Sequence, residues 1–189
     1  VILSTNSSAA LDSISNTKFD VVIVDEASQA TIPSVLIPIA KARRFILAGD
    51  HKQLPPTIIS DKAHDLQDTL FESLIDKYPH KSQLLNVQYR MNKILMEFPN
   101  SEFYNNNLKS DSSVNNITLK DISDVEDDDA ILFIDTCELE KNHEKHLKDS
   151  KSIVNHIEAR VALKVATDYI KAGVNEKDMG IISPYADQS

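Results

Sequence analysis

Two short apolar runs, each ending in polar residues, constrain the fold of this chain more than any other feature. Residues 21–24 (VVIV) end directly in Asp25-Glu26, and residues 45–48 (FILA) end in the segment GDHKQLPPT at 49–57. β-Branched runs of this length are typical of strands buried on both faces, as in a parallel sheet. Polar residues just past the carboxyl ends of such strands lie where open α/β sheets bind ligands. The sequence therefore predicts that these strand ends hold a nucleotide's phosphates and its magnesium ion.

The remaining pattern alternates between strand-like and helix-like segments, which predicts an α/β fold with helices flanking parallel sheets. Strands are predicted at residues 1–5, 21–25, 45–48, 131–135 and 180–183. Helices are predicted at 66–78, around 92–98 and at 152–172, with Ser152 as a possible N-cap, and a proline-broken helical segment at 27–42. A domain boundary at 79–82 would divide the chain into residues 1–80 and 81–189.

Composition excludes several classes of protein. A single Cys, Cys137, excludes a disulfide framework, and no apolar run approaches the roughly 18 to 20 residues of a membrane helix. Both features predict an intracellular protein without a membrane segment. The net charge of −9 argues against a free-standing nucleic-acid-binding module, although the acidic run at 124–129 is interpreted as a solvated loop. His143 and His146 are interpreted as solvent-exposed histidines rather than metal ligands.

The polar strand ends suit phosphate chemistry. Hydrolysis of a nucleoside triphosphate needs one carboxylate on the magnesium and a second that orients or deprotonates the attacking water. Asp25 and Glu26 could take these two roles, although a solvated acidic turn is the alternative. The amide of Gln53 both donates and accepts hydrogen bonds, so it can contact a γ-phosphate or the water, unless 49–53 is only a turn.

Three motifs resemble one enzyme family in order and spacing. DEASQ at 25–29, GDHKQLPPT at 49–57 and QYRMN at 88–92 resemble motifs II, III and IV of superfamily 1B helicases, the nonsense-mediated-decay helicase-like group, and in particular its immunoglobulin mu-binding branch. The resemblance continues through SEFYNNNL at 101–108, LFIDT at 132–136 and ISPYADQ at 182–188. The family implies two RecA-like domains that bind ATP in the cleft between them and a single strand across their tops.

The resemblance also assigns roles at the nucleotide. Asp25 would coordinate Mg²⁺, Glu26 would activate the hydrolytic water, and Gln53 would sense the γ-phosphate. Arg90 would reach the γ-phosphate from the second domain, and Tyr89 would stack on the adenine. For Arg90 and Tyr89 a buried structural pair is the alternative.

On the nucleic-acid side, Thr5 resembles a residue that contacts the backbone. Ser183, Pro184 and Tyr185 resemble a motif near the strand track. A lone Thr or Tyr at a strand end is more often structural. Ser28 and Gln29 lie next to the expected ATP site, and the hypothesis is that they couple it to the nucleic-acid side.

The family pattern is incomplete in this chain. It has three Gly residues and no G-x-x-x-x-G-K-[ST] motif, so the phosphate-binding loop would precede Val1 and the last motifs would follow the chain. The chain is therefore expected to hold the end of a first RecA-like domain (1–80) and the start of a second (81–189), truncated at both ends and inactive alone.

The favoured hypothesis is the central part of an ATP-dependent 5′-to-3′ DNA or RNA helicase of the nucleus or cytoplasm. It would use ATP and Mg²⁺, act as a monomer on single-stranded nucleic acid, and meet replication or RNA-processing proteins. A receiver-like signalling domain phosphorylated at Asp25 is the alternative from another class, and a catalytically dead interaction module is a third.

Overall fold

The computed structural model describes residues 1–121, 123, 125, 129–139, 143–148 and 150–188, without the side chain of Ser15. The chain divides into two compact units, Val1–Leu84 and Leu85–Ser189. This division lies close to the boundary predicted at 79–82. The assignment of the two units to RecA-like domains stays a prediction.

The first unit is built on a parallel strand pair. After a short helix α1 (Asp12–Ser15), strand β1 (Phe19–Val24) pairs in parallel with β2 (Ala42–Leu47), with helix α2 (Ile32–Ile39) between them in the chain. A parallel pair requires such a crossover connection, because a tight turn can join only antiparallel neighbours. The predicted strands at 21–25 and 45–48 are therefore confirmed, and α2 confirms the helical segment between them.

The core of this unit lies on one face of the pair. Val24, Ala27 and Val35 are buried together, and Leu70 and Phe71 of helix α3 (Leu70–Lys77) pack against them. On the opposite face of β1, Val21 is 45% exposed and Ile23 is 69% exposed. The expectation that these strands are buried on both faces is wrong for the described residues, because α2 and α3 cover only the face that carries Val24.

The second unit contains two further strand pairs. Strand β3 (Val87–Gln88) pairs in parallel with β4 (Lys109–Ser110), with helix α4 (Lys93–Phe103) between them. Strand β5 (Lys145–His146) pairs in antiparallel fashion with β6 (Ile153–Val154), which leads into helix α5 (His156–Lys171). The unit is thus also α/β, although its sheets are short.

Side-chain caps fix where the main helices begin. Thr69 accepts a hydrogen bond from the Glu72 amide at the start of α3, and Asn92 accepts one from Ile94 at the start of α4. Helix α5 begins after Asn155, not after Ser152 as expected. Asn155 is the N-cap because its carboxamide oxygen accepts from two backbone amides of the first turn. Ser152 lies too early in the chain for its hydroxyl to reach those amides.

Three predicted strands are absent from the structure. Residues 1–5, 131–135 and 180–183 adopt no regular secondary structure. Their apolar runs indicate strand propensity, but a strand also needs a partner backbone, and none pairs with them in the part of the chain that the structure describes. The predicted helix at 66–78 is shorter, because a 3₁₀ segment (Asp61–Gln67) precedes α3 and Pro79 follows its end.

Short 3₁₀ segments connect many of these elements. Besides Asp61–Gln67, the described residues form 3₁₀ segments at Ser7–Ala10, Ala27–Gln29, Pro79–Lys81, Leu119–Asp121, Glu176–Asp178 and Ala186–Gln188. The acidic run predicted as a solvated loop lies mostly outside the described residues. No helix in the described ranges is long and apolar enough to cross a membrane.

Candidate functional site

The two predicted strand ends meet at one edge of the first unit. The Ala48 amide donates to the Val24 carbonyl at 2.9 Å, and the Ala27 amide donates to the Ala48 carbonyl at 2.8 Å. Asp25 and Glu26 lie between these bonds on one side, and the loop that starts at Gly49 follows on the other. The structure therefore brings together the acidic pair and the GDHKQ segment, as the parallel pairing predicts.

Glu26 has a left-handed backbone conformation, with φ 51° and ψ 37°. This conformation costs on the order of 1 kcal/mol or more in a residue other than Gly, and it persists only where the surroundings impose it. Here the Glu26 amide donates to the Asp25 carboxylate at 3.0 Å, and the Gln29 side chain donates to the Glu26 carboxylate at 3.4 Å. The turn leaves the side chains of Asp25 and Glu26 exposed to solvent.

A chain of hydrogen bonds joins the two strand ends to Gln53. The buried Ser28 hydroxyl accepts from the Asp50 amide at 2.9 Å, and the Asp50 carboxylate accepts from the Gln53 side chain at 2.8 Å. Asp50 also accepts from the Lys52 amide at 3.0 Å, which closes the loop on itself. Gln53 is thus held in place by Asp50, whose own backbone is held by the DEASQ segment.

Gly49 is required by this close approach. A Cβ atom at position 49 would lie 2.9 Å from both the Ser28 amide nitrogen and its Oγ. Contacts this short force the neighbouring backbone to move. The Gly in GDHKQ therefore lets the two strand ends touch, and it supplies more than a bend.

A shallow pocket of about 360 Å³ lies on this loop, lined by Gln29, Lys52, Gln53 and Leu54. Gln53 offers an amide and Lys52 an ammonium group, so the pocket can donate hydrogen bonds to an anion such as a phosphate. The sequence analysis did not identify Lys52 as a site residue. Its position next to Gln53 in the motif could have indicated it. The loop is also anchored to α3, where the His51 and Phe71 rings lie 6.2 Å apart.

The acidic pair fits a magnesium ion only as a partial ligand set. Mg²⁺ in nucleotide sites takes one or two protein carboxylates and completes its shell with water and phosphate oxygens. Asp25 is an exposed carboxylate of this kind, with Glu26 beside it. No group of three or more His, Cys, Asp or Glu side chains within the described ranges could hold a metal alone. The site suits a metal that arrives with a nucleotide.

In the second unit, Gln88 shapes the turn that carries Tyr89 and Arg90. Its carbonyl oxygen accepts from the amides of Arg90 at 2.8 Å and Met91 at 2.9 Å, and its nitrogen donates to Met91 and to Ser110. Tyr89 is 66% exposed and Arg90 is exposed, so the alternative of a buried structural pair is wrong. The sequence analysis gave Gln88 no role. Its position as the first residue of QYRMN, directly before Tyr89 and Arg90, could have indicated one.

The nucleic-acid candidates are divided between the two units, and local hydrogen bonds engage two of them. Thr5 donates to the Ser8 hydroxyl at 2.9 Å in the first unit. Ser183 bonds the Tyr185 backbone in the second unit, and Pro184 and Tyr185 are exposed. The nucleic-acid role of all four residues stays a prediction.

Comparison with known proteins gives consistent matches along the chain. Residues 66–189 match a family model described as an AAA domain, and residues 1–61 match a second model with the same description. The chain is 44% identical over 195 residues to an uncharacterised ATP-dependent helicase of Methanocaldococcus jannaschii, covering 98% of this chain and 28% of that protein.

Two eukaryotic relatives match over the same extent of this chain. DNA-binding protein SMUBP-2 of Mesocricetus auratus is 38% identical, covering 98% of the chain and 20% of the relative. The DNA polymerase alpha-associated DNA helicase A of Schizosaccharomyces pombe is 33% identical, covering 98% and 29%. The chain thus spans less than a third of the length of these relatives, and nothing in these matches supports the receiver-like alternative.

Proposed function

This chain belongs to the superfamily 1B helicase family, and from that premise we propose that it carries the central catalytic part of an ATP-dependent helicase. The observation that supports this function best is the hydrogen-bonded connection of Ser28, Asp50 and Gln53. These bonds connect the strand end that carries Asp25 and Glu26 to the Gln53 amide, which can hydrogen-bond a phosphate.

We assign Asp25 to the Mg²⁺ that accompanies ATP and Glu26 to the attacking water. Bound Mg²⁺ supplies charge neutralisation for the phosphate oxygens. The Glu26 carboxylate is the general base, since it is exposed at a turn that fixes its backbone, and Gln53 hydrogen-bonds the γ-phosphate or the water. Asp50 holds the Gln53 amide so that little ordering is needed when the nucleotide binds.

Arg90 and Tyr89 are proposed to act on the same nucleotide. A guanidinium group stabilises the charge that spreads over the transferred phosphoryl oxygens, and an exposed aromatic ring can stack on adenine. Gln88 supports both roles because it fixes the turn without using either side chain. Thr5, Ser183, Pro184 and Tyr185 remain our candidates for contact with single-stranded nucleic acid.

Three further properties are proposed from the family resemblance alone. We propose that the intact protein moves 5′-to-3′ along single-stranded DNA or RNA, acts as a monomer, and associates with replication or RNA-processing proteins. The SMUBP-2 relative is named as DNA-binding, which favours DNA as the first substrate to test.

The assignment of Glu26 is tested by Glu26→Gln in the intact protein. The amide keeps the size of the side chain but cannot take a proton, so ATP turnover should fall about 10²- to 10⁴-fold, the usual contribution of a general base. Nucleotide binding, measured with a fluorescent ATP analogue, should change by less than about threefold, because the proposed Mg²⁺ ligand Asp25 is intact.

Asp20→Asn is the matched control, because Asp20 is an exposed carboxylate near the other end of β1. It should leave turnover unchanged. Turnover of Glu26→Gln within about threefold of wild type would refute the assignment.

A further inference from the structure

The second unit contains a cavity of about 580 Å³ that the nucleotide chemistry does not use. Its lining includes the four basic side chains of His143, Lys145, His156 and Arg160, together with apolar Ile157 and Leu163 on α5. The volume lies in the range of small-ligand sites, roughly 300 to 1,000 Å³. Basic side chains beside apolar ones suit an anion with an attached apolar group.

Two elements bring these side chains together. The β5–β6 hairpin places Lys145 opposite Val154, two residues before α5 begins, and the His146 ring bonds the Ser152 carbonyl at 3.0 Å across it. Side chains alternate between the faces of a strand, so Lys145 and His146 lie on opposite faces of β5, and His143 precedes the strand by two residues. The hairpin thereby presents a basic face at the first turn of α5.

Helix α5 contributes the other side of the cavity. His156 and Arg160 are four residues apart, and Leu163 follows three residues later, so all three lie on one helical face. The Asn155 side chain already accepts from the amides of Ile157 and Glu158. An anion here would therefore be held mainly by side chains and not by the free end of the helix.

The local charge is opposite to that of the whole chain, which carries −9. The described lining residues include no carboxylate, and within the described ranges none of the four basic side chains forms a hydrogen bond or an ion pair. All four residues are exposed, so their side chains are placed to receive an anion.

We propose that this cavity binds the phosphate backbone of single-stranded nucleic acid, with a base against Ile157 and Leu163. The choice of nucleic acid rests on the proposed function, and the site itself rests on the basic lining. Lys and Arg can contact neighbouring phosphates, and the apolar side chains of Ile157 and Leu163 favour an unstacked base over an acidic peptide. This contact lies outside the 182–188 motif and would add a second hold on the strand.

The test is the salt dependence of binding to a fluorescent single-stranded DNA oligonucleotide, measured by anisotropy without nucleotide. Each phosphate contact on a single strand adds about 0.7 to the slope of log K against log[salt]. The double substitution Lys145→Gln, Arg160→Gln should therefore reduce the slope by about 1.4. Lys145→Gln alone, a change at an exposed residue, should reduce it by about half as much and guards against a folding defect in the double variant.

The matched control is Lys171→Gln, Lys177→Gln, which removes the same charge from exposed positions of the same unit. Lys171 lies about 16 Å along α5 from Arg160 at 1.5 Å per residue. This control should leave the slope unchanged. An equal change in the control would overturn the proposal in favour of diffuse charge, and no binding by wild type at low salt would overturn it as well.

Two further arms separate the possible ligands. Poly-glutamate that binds as tightly, with the same loss in the double variant, would reassign the cavity to an acidic peptide. Pyrophosphate that binds with the same loss, while the oligonucleotide is unaffected, would reassign it to a free anion. Glu26→Gln should keep the wild-type slope, so failure of the ATPase assignment and failure of this site give different results.

Discussion

Gly49→Ala is the substitution for which the structure gives the clearest magnitude. The new Cβ would lie 2.9 Å from the Ser28 amide nitrogen and Oγ and 3.2 Å from the Ser28 Cβ. Overpacking of this kind costs about 1–3 kcal/mol, because backbone atoms must move. Movement of Ser28 also strains the bond from the Asp50 amide to its hydroxyl, which is worth about 0.5–1.5 kcal/mol. The expected loss of stability is about 1.5–4.5 kcal/mol.

Native-state hydrogen exchange measures this loss of stability at the backbone amides of the site. The Ala27 and Ala48 amides bridge the two strand ends, so their protection should fall about tenfold to a thousandfold, at 1.4 kcal/mol per factor of ten. The Leu108 amide, bonded to Asn100 in the second unit, should keep its protection.

Gly180→Ala is the control for Gly49→Ala, because a Cβ at position 180 meets nothing within 4 Å. It should change protection little, since surface substitutions of this kind stay within about 0.5 kcal/mol. Protection of Ala27 and Ala48 within about threefold of wild type in Gly49→Ala would refute the reasoning from close packing.

Two further predictions concern the second unit. Gln88→Ala should destabilise it by about 1–3 kcal/mol, since the part-buried amide of Met91 loses its acceptor, and urea unfolding followed by circular dichroism measures the change. Gln83→Ala, at an exposed site, is its control, and equal midpoints for the two variants would contradict the role of Gln88. The hydrogen bond from Lys164 lowers the pKa of Asp168, so the stabilisation that this pair supplies is present above the ordinary carboxyl pKa and lost as pH falls through the lowered value. In thermal melts, the protein loses stability below about pH 4, and Asp168→Asn should make that loss slightly smaller. An equal loss of stability below about pH 4 in wild type and variant would contradict the pairing.

The sequence predicted the parts of the fold that local pattern determines. The parallel pairing of β1 with β2 follows from two apolar runs separated by a helical segment, and α5 follows from its four-residue periodicity. The strands predicted at 1–5, 131–135 and 180–183 failed because a run of apolar residues does not specify its partner.

The site was predictable in its residues but not in its connections. Asp25, Glu26 and Gln53 were identifiable from strand ends and motif resemblance, yet the bonds through Ser28 and Asp50 depend on the close approach at Gly49. The basic cavity of the second unit was missed for a similar reason. His143 and Lys145 are distant from Arg160 in the chain, and only the β5–β6 hairpin brings them to α5.

The most direct test of the central claim is ATP turnover by the intact protein with and without single-stranded DNA or RNA. A helicase couples hydrolysis to movement along a strand, so the proposed function predicts a higher turnover rate when a single strand is present. Double-stranded DNA of the same sequence is the control and should stimulate less. Equal turnover rates with every nucleic acid and with none would contradict the assignment of this chain to a translocating helicase.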